Sequence, residues 1–396
     1  MSALVSTPAR HQKQIIGLFP ELLGVGGIQE AGRLTVMALS EIALRQDWHI
    51  RVLSLNDAAG TQVLRDQVTE IPFRGFGRAK LRFVLASLGL ARKTSGSSDP
   101  VVLAAHPYLA QPVAWMKSIC SGLRTIVMSH GVEVWKPLSH ARRRALLGAD
   151  LVLCPSRDTA QKLNEIQGVF PGKIHRLPWP ISPDFVWLAA NPADLPLPQG
   201  FPHGKIILTV GRWAAAERYK GADELIRAVA QLRATIPDLH LVAVGGGDDL
   251  PRLRKLASDL GVADRVHFLG MLSREEIAAC YASADLFALP SSGEGFGLVF
   301  IEAMAFAKPV VGASCGGTLD IVQHGVNGML VPPRDTARLA EALERLLHDE
   351  SLRTKLGRNG AETVRREYEF EVFRSRLEEI LDGTTVHGDC VVTERR

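Results

Sequence analysis

A chain of 396 residues and 43.1 kDa is larger than one hydrophobic core usually serves, so two domains are expected. With 46% hydrophobic and 22% charged residues it is neither a disordered nor a collagen-like polymer, and no run of about 18 uncharged apolar residues is present to span a bilayer. Charge is uneven: residues 1–185 hold 22 Lys and Arg against 13 Asp and Glu, a balance of +9, while the remainder carries −5 toward the total of +4.

A basic first half predicts an anionic partner there, with a solvated surface as the plainer reading. Residues 1–13 lack the apolar core of a signal peptide. The five cysteines (Cys120, Cys154, Cys280, Cys315 and Cys390) include no C-x-x-C pair. A cytoplasmic, reducing setting is therefore expected, without a disulfide scaffold or structural zinc.

In chain order, near-continuous apolar runs at 14–18, 50–55, 101–103, 125–128 and 151–153 read as strands buried on both faces. Helical periodicity fills the gaps, as at 28–45 and 156–166. Such alternation predicts a parallel sheet wrapped on both faces. The first run leads into Leu23-Gly24-Val25-Gly26-Gly27-Ile28. Glycines before a helix bring backbone N–H groups to an anion, but Gln29 breaks the dinucleotide fingerprint, and a tight structural turn explains this loop equally well.

Prolines from Pro178 to Pro202 exclude a helix and mark a linker. Alternation resumes with runs at 205–210, 240–244, 265–269, 285–289 and 309–312, and helices close the chain over 336–381. Gly211-Arg212 ends the first of these runs and Lys220-Gly221 opens the next helix. An Arg fork and a Lys point charge suit a diphosphate, although each serves equally as a surface cation.

The fullest constellation is Pro290-Ser291-Ser292-Gly293-Glu294-Gly295-Phe296-Gly297-Leu298, with Glu302 eight residues after Glu294. It places one carboxylate on a glycine loop and another on the following helix. The helix start between them is an anion receptor. Singly, Glu302 reads as a dipole-stabilising residue and Glu294 as a solvated loop residue.

With these motifs, and with Phe268-Leu269-Gly270, Tyr281-Ala282-Ser283-Ala284-Asp285 and Gly316-Gly317, the sequence resembles a retaining glycosyltransferase of the GT-B fold, family 4, from residue 14 to about 381. The resemblance implies an α/β chain of two Rossmann-like, doubly wound parallel-sheet domains facing across a cleft. It implies an acceptor-binding domain at 1–185, a Pro-rich linker at 186–203 and a nucleotide-sugar domain at 204–365. A helix at 366–382 would cross back to the first domain, followed by a polar tail at 383–396.

It also implies roles. Glu294 would bind the hydroxyls of the donor sugar and Glu302 the ribose, while Arg212 and Lys220 hold and stabilise the departing diphosphate. Gly26 and Gly27 would offer N–H groups to the distal phosphate and sugar. His130 would sit near the reacting sugar carbon, its plainer role being a backbone hydrogen bond at a strand end. Phe268 to Leu272 would flank the base, and Gly295, Phe296, Gly297 and Leu298 the phosphates. Two departures stand out: Asp320 where the family has Glu, and an Ala-rich spacer after Arg212 that lets Arg218 share the phosphate role.

The implied reaction is hexosyl transfer from a UDP- or GDP-sugar to a glycan or lipid-linked acceptor by a front-face mechanism. Neither cofactor nor metal is expected, since no D-x-D pair marks a metal site and Asp248-Asp249 are adjacent. An epimerase, a phosphorylase with Lys-bound pyridoxal phosphate, and a non-catalytic carbohydrate-binding module are the competing readings. Two basic clusters, Arg74-Arg78-Lys80-Arg82 and Arg142-Arg143-Arg144, point to a phosphorylated or lipid-linked acceptor and to peripheral contact with an anionic membrane surface. The plainer reading of Arg142 to Arg144 is a solvated helix face. Nucleic acid is not an expected partner, because aromatics are only 6%.

Overall fold

The computed structural model of the chain describes residues 12–65, 70–193 and 195–383. They form two compact units, one running to Pro180 and resuming at Phe370, the other Ile181–Glu369. The polar tail beyond 383, with Cys390, and residues 1–11 lie outside the described part.

The first unit contains β1 (Gln14–Phe19), α1 (Gly27–Arg45), β2 (His49–Ser54), β3 (Gly60–Arg65), β4 (Glu70–Gly75), α2 (Lys80–Thr94), β5 (Val101–Ala104), α3 (Ala110–Ile119), β6 (Arg124–Met128), α4 (His140–Leu147), β7 (Leu151–Cys154), α5 (Arg157–Glu165) and β8 (Ile174–Arg176). The second contains α6 (Pro183–Ala190), β9 (Lys205–Val210), α7 (Ala222–Leu232), β10 (Leu239–Val244), α8 (Leu250–Asp259), β11 (Val266–Gly270), α9 (Arg274–Ser283), β12 (Leu286–Leu289), α10 (Leu298–Ala305), β13 (Val310–Ala313), α11 (Thr318–Ile321), β14 (Gly328–Val331), α12 (Thr336–His348) and α13 (Glu350–Glu367). The last helix, α14 (Phe370–Asp382), returns to the first unit.

The first sheet runs β3-β4-β2-β1-β5-β6-β7-β8, and every pairing is parallel except β3 with β4. The second runs β11-β10-β9-β12-β13-β14 and is parallel throughout. Strand order reverses between β1 and β5 in one sheet and between β9 and β12 in the other. At such a reversal the connections leave in opposite directions and open a crevice at the strands' carboxyl ends. Every candidate residue except the 268–272 segment and Glu302 lies at or just beyond one of these ends or on the strand next to it.

The central strands follow from their sequence. β1, β5 and β12 are buried along their whole length, as continuous apolar runs require. β3, at the sheet edge, buries only Leu64, and β4 beside it alternates exposed and buried positions, so no apolar run announces them. β8 and β14 span three and four residues, too few to show a period.

The linker expected at 186–203 needs correction, because α6 occupies its start. Pro183 sits in the first turn after Ser182, where its missing N–H costs nothing and its fixed φ favours helix. The helix buries Phe185 and Leu188, and Asp184 pairs with Arg274 at 2.5 Å. On the first unit, α14 is locked by buried Arg374, which reaches Glu41 at 3.4 Å, Glu378 at 3.6 Å and Glu371. Lys13 Nζ adds a bond of 2.7 Å to the Leu381 carbonyl.

Candidate active site

In the second unit, the loop after β12 carries Glu294 and the loop after β9 carries Arg212 and, through a short 3-10 helix at Ala215–Lys220, Lys220. Lys220 Nζ lies 3.6 Å from Glu294 Oε2, with both side chains largely buried. Glu294 Oε2 has no hydrogen-bond partner. A buried carboxylate oxygen facing one cation but bonded to nothing is an acceptor held ready for a donor from outside the protein. A Cβ on Gly211 would press on the Trp213 ring at 3.2 Å and touch the Lys220 Cδ at 3.5 Å.

Close backbone approach shapes this corner. Gly221 has φ +81, and a Cβ there would meet the Pro290 carbonyl at 2.7 Å. A Cβ on Gly317 would meet the Gly295 carbonyl at 2.5 Å, while Gly317 N–H donates to Glu294 O at 2.7 Å. The β13–α11 turn thus braces the acidic loop from behind. Helix α10 is preceded by Gly297, φ +107, with no side-chain cap, which leaves its positive end available to an anion. Phe296 is different: its side chain is buried with its ring edge-on to Tyr368 at 5.8 Å, so only its backbone can serve a ligand.

Glu302, on α10, accepts a hydrogen bond of 2.9 Å from the Tyr281 hydroxyl. Burial, with the Glu302 carboxylate beside it, holds that phenol far above its ordinary pKa, so it remains a donor. Arg212 stands apart. Its side chain is 73% exposed and rests on Glu217.

Arg218, a candidate for the phosphate, is already committed. It donates to Asp249 at 2.9 and 3.2 Å. Arg252 grips the same carboxylate at 2.6–3.0 Å and Asp223 at 2.6 and 2.7 Å. The Arg252 hydrogen bonds, aided by Arg218 against the opposing effect of burial, pull Asp249 down to about 2. Asp248 accepts from Ala215 N–H at 2.8 Å. The adjacent aspartates are therefore braces for the segment bearing Lys220, and among the described residues no cluster suited to a metal ion occurs.

Along the same edge, Gly211 N–H donates to Val244 O at 3.0 Å and Gly245 N–H to Gly270 O at 2.7 Å. These bonds tie the 268–272 segment to the Arg212 loop. Phe268 lies under the Arg254 guanidinium at 4.9 Å, and Leu272 is half-buried. Asp320 carries a backbone contact, its carbonyl accepting from Tyr368 OH at 2.9 Å.

In the first unit, Gly26 adopts φ +144 and precedes α1 without a side-chain cap. The loop is organised by Arg33, which donates to the Leu22 and Gly24 carbonyls at 2.8 Å each, and by buried Asp57, which accepts from Leu22 and Leu23 N–H at 2.7 and 3.0 Å. His130 follows β6. Its Nε2 donates to Ala105 O at 2.7 Å, the strand-end bond of the plainer reading, yet its buried Nδ1 has no partner. With Nε2 committed to Ala105, Nδ1 is the ring nitrogen left for a ligand.

Glu133 holds this turn, accepting from His130 N–H at 2.5 Å and Ser129 Oγ at 2.9 Å. Burial raises its carboxyl, but His130, His106 and backbone N–H groups more than offset this and leave it below the ordinary range. Glu133, Arg33 and Asp57 carry no motif that marks them in the sequence. A single polar residue near a strand end carries no periodic signal, and only the H-G-x-E spacing at 130–133 hinted at the first.

The Glycosyl transferases group 1 family model matches residues 199–363, and the Glycosyltransferase Family 4 model matches residues 34–185. The GDP-mannose-dependent alpha-(1-6)-phosphatidylinositol monomannoside mannosyltransferase of Mycobacterium tuberculosis is 31% identical over 338 residues, 82% of this chain and 84% of that protein. The D-inositol 3-phosphate glycosyltransferase of Stackebrandtia nassauensis is 29% identical over 311 residues, 72% of this chain and 70% of that one. Among solved structures, Anabaena HepE in complex with UDP superposes with a TM-score of 0.71 at 21% identity, covering 93% of this chain and all of that one.

Proposed function

This chain belongs to glycosyltransferase family 4, with the GT-B fold, and is a nucleotide-sugar glycosyltransferase; from that premise we propose that it transfers a hexose, with retention, from a UDP- or GDP-sugar to a lipid-linked or phosphorylated polyol acceptor. The GDP-mannose dependence and lipid acceptor of the mycobacterial relative favour a GDP-hexose and a lipid-linked polyol. The observation that carries the reading is Glu294 Oε2, buried, unbonded and 3.6 Å from Lys220 Nζ, beside the uncapped start of α10. A sugar hydroxyl satisfies the carboxylate, and a diphosphate satisfies Lys220 and the helix end.

In this reading Glu294 orients the sugar and Glu302 the ribose. Lys220 and Arg212 take up the charge that develops as the bond from the anomeric carbon to the diphosphate breaks. The acceptor oxygen bonds to that carbon on the same face, and its proton passes to the departing phosphate oxygen. His130 contributes an acceptor, Nδ1, for a sugar hydroxyl, and Gly26 and Gly27 contribute backbone N–H groups. Positive side chains and a helix end supply the charge a metal would otherwise supply, so activity is expected to survive chelation.

Among the described residues no helix is long and apolar enough to cross a membrane. Contact with anionic lipid is assigned to the start of α2, where Lys80 and Arg82 flank Leu81, which is 72% exposed. The test is turnover with a panel of nucleotide sugars, the anomeric configuration of the product being read by NMR. Glu294→Ala, Lys220→Ala and Arg212→Ala should each lower kcat by about a hundredfold in folded protein. Wild-type rates in all three, an inverted product, or activity that chelator abolishes and a divalent ion restores would each refute the corresponding part. Vesicle co-sedimentation indifferent to anionic lipid would remove the membrane contact.

A further inference from the structure

A ring nitrogen serves a ligand well only when the ring is held still. The His130 ring has one hydrogen bond to hold it, from Nε2 to Ala105 O at 2.7 Å, while its buried Nδ1 is unpartnered. That single bond pins one corner and leaves the imidazole free to tilt about the carbonyl. Glu133 grips the His130 backbone N–H rather than the ring. What meets the ring itself is aromatic. Trp179 lies 5.1 Å from it, centroid to centroid, with the planes 36° apart, and His106 lies 5.8 Å away at 31°. Both separations fall in the range of about 4.5–7 Å over which aromatic rings pack favourably. All of these residues belong to the first unit.

The sequence builds Trp179 rigidly into this place. Leu177 N–H donates to Cys154 O at 2.8 Å, which carries the extended run of β8 on past Arg176. Pro178 then fixes its own φ, and Pro180 confines the residue before it to extended backbone. Trp179, between the two, has little conformational freedom. Its side chain is 3% exposed, although a linker that only spans a gap has no need of a buried indole. Beyond His130, the Trp179 ring meets Phe373 of α14 at 6.3 Å, and Phe373 is buried in turn. The Pro-Trp-Pro run is therefore a stiff arm, and the returning helix backs it. Core packing alone explains why an apolar residue stands at 179. It does not explain an aromatic one against a histidine, since an aliphatic side chain fills space without fixing the plane of a neighbouring ring.

We propose that Trp179 is a positioning residue for glycosyl transfer: its indole, backed by Phe373, fixes the plane of the His130 imidazole so that Nδ1 stays presented to the donor sugar. The proposal rests on the reading of His130 as a sugar-binding residue and adds what sets its orientation. Trp179 touches no substrate and acts on turnover only through His130. The reaction is sensitive to such placement, because a misplacement of about 1 Å costs up to about a hundredfold in rate.

Trp179→Leu keeps apolar bulk without a ring, and Trp179→Phe keeps a ring; Trp179→Met, an adaptable gap-filler, replaces Trp179→Leu if that variant does not fold. Kinetics on the full chain, well below each variant's Tm, should show kcat for Trp179→Leu down about tenfold or more, with donor KM changed by less than about twofold. Trp179→Phe should recover most of the rate. In a His130→Ala background Trp179→Leu should lower kcat no further, whereas an independent structural effect would multiply. A second readout needs no turnover: with ring-labelled histidine, the His130 ring resonances should move in Trp179→Leu as the ring current of the indole is lost. Wild-type kcat in Trp179→Leu, or the same fold-loss with and without His130, overturns the proposal. If no nucleotide sugar is turned over, the glycosyl-transfer reading fails, and the resonances alone decide whether Trp179 sets the ring: unmoved resonances refute it, and displaced ones sustain it.

Discussion

Replacing Asp249 by Asn isolates what braces the segment bearing Lys220. The carboxylate side chain is 5% exposed and receives Arg218 and Arg252 at 2.6–3.2 Å. Breaking a buried pair from one side costs about 3–5 kcal/mol when the partner is left uncompensated. Here Arg252 keeps Asp223 and Arg218 is half-exposed, so the loss should be smaller, about 2–3 kcal/mol. For a domain of this size that corresponds to roughly 4–12 °C in Tm.

The pH dependence follows from the depressed pKa. Asp249 lies near 2 in the folded protein, below its ordinary value of 3.8, so its contribution is complete at neutral pH and disappears as pH falls from about 4 through about 2. Urea unfolding of both proteins at pH 7 and at pH 3 measures it. The gap should be full at pH 7 and narrower at pH 3, and nucleotide affinity should weaken with the lost brace. A neutral-pH difference under about 0.5 kcal/mol, or a gap that widens on acidification, would refute the reasoning.

Two further substitutions test the donor corner. Tyr281→Phe deletes the hydroxyl 2.9 Å from Glu302 Oε2; a hydrogen bond to a charged group contributes about 1.5–3 kcal/mol, so nucleotide Kd should rise tenfold or more, and an unchanged Kd would detach Glu302 from the nucleotide. Gly317→Ala forces a methyl to 2.5 Å from the Gly295 carbonyl and 2.7 Å from Phe296 Cα. Overpacking of this kind costs about 1–3 kcal/mol, and kcat should fall with it because the displaced loop carries Glu294. Gly89→Ala is the control: it lies inside α2, where a Cβ meets nothing within 4 Å, and should stabilise by about 0.5–1 kcal/mol.

The alternation of apolar runs with amphipathic stretches was sufficient to predict two parallel sheets, since strands buried on both faces cannot hide polar residues. It missed β3 and β4, whose exposed faces break the run, and α6, because Pro183 was read as a helix breaker although its position just after Ser182 makes it a helix starter. Lys220 and Glu294 were singled out by their places after predicted strands, seventy-odd residues apart. Arg212 and Arg218 stand six residues apart in one spacer, yet Arg212 is 73% exposed and pairs with Glu217 of its own loop, whereas Arg218 is taken by buried Asp249.

Local order along the chain therefore determined which elements form and which loops end at the strands' carboxyl edges, because backbone burial and turn chemistry act over a few residues. Tertiary structure alone decided which charges are neutralised inside the protein. That choice depends on distances between residues far apart in sequence: Asp249 quenches Arg218, and Lys80 and Arg142 line one cavity without a carboxylate. A charge left uncompensated by the fold is one a ligand can satisfy, and no reading of a single segment reveals it.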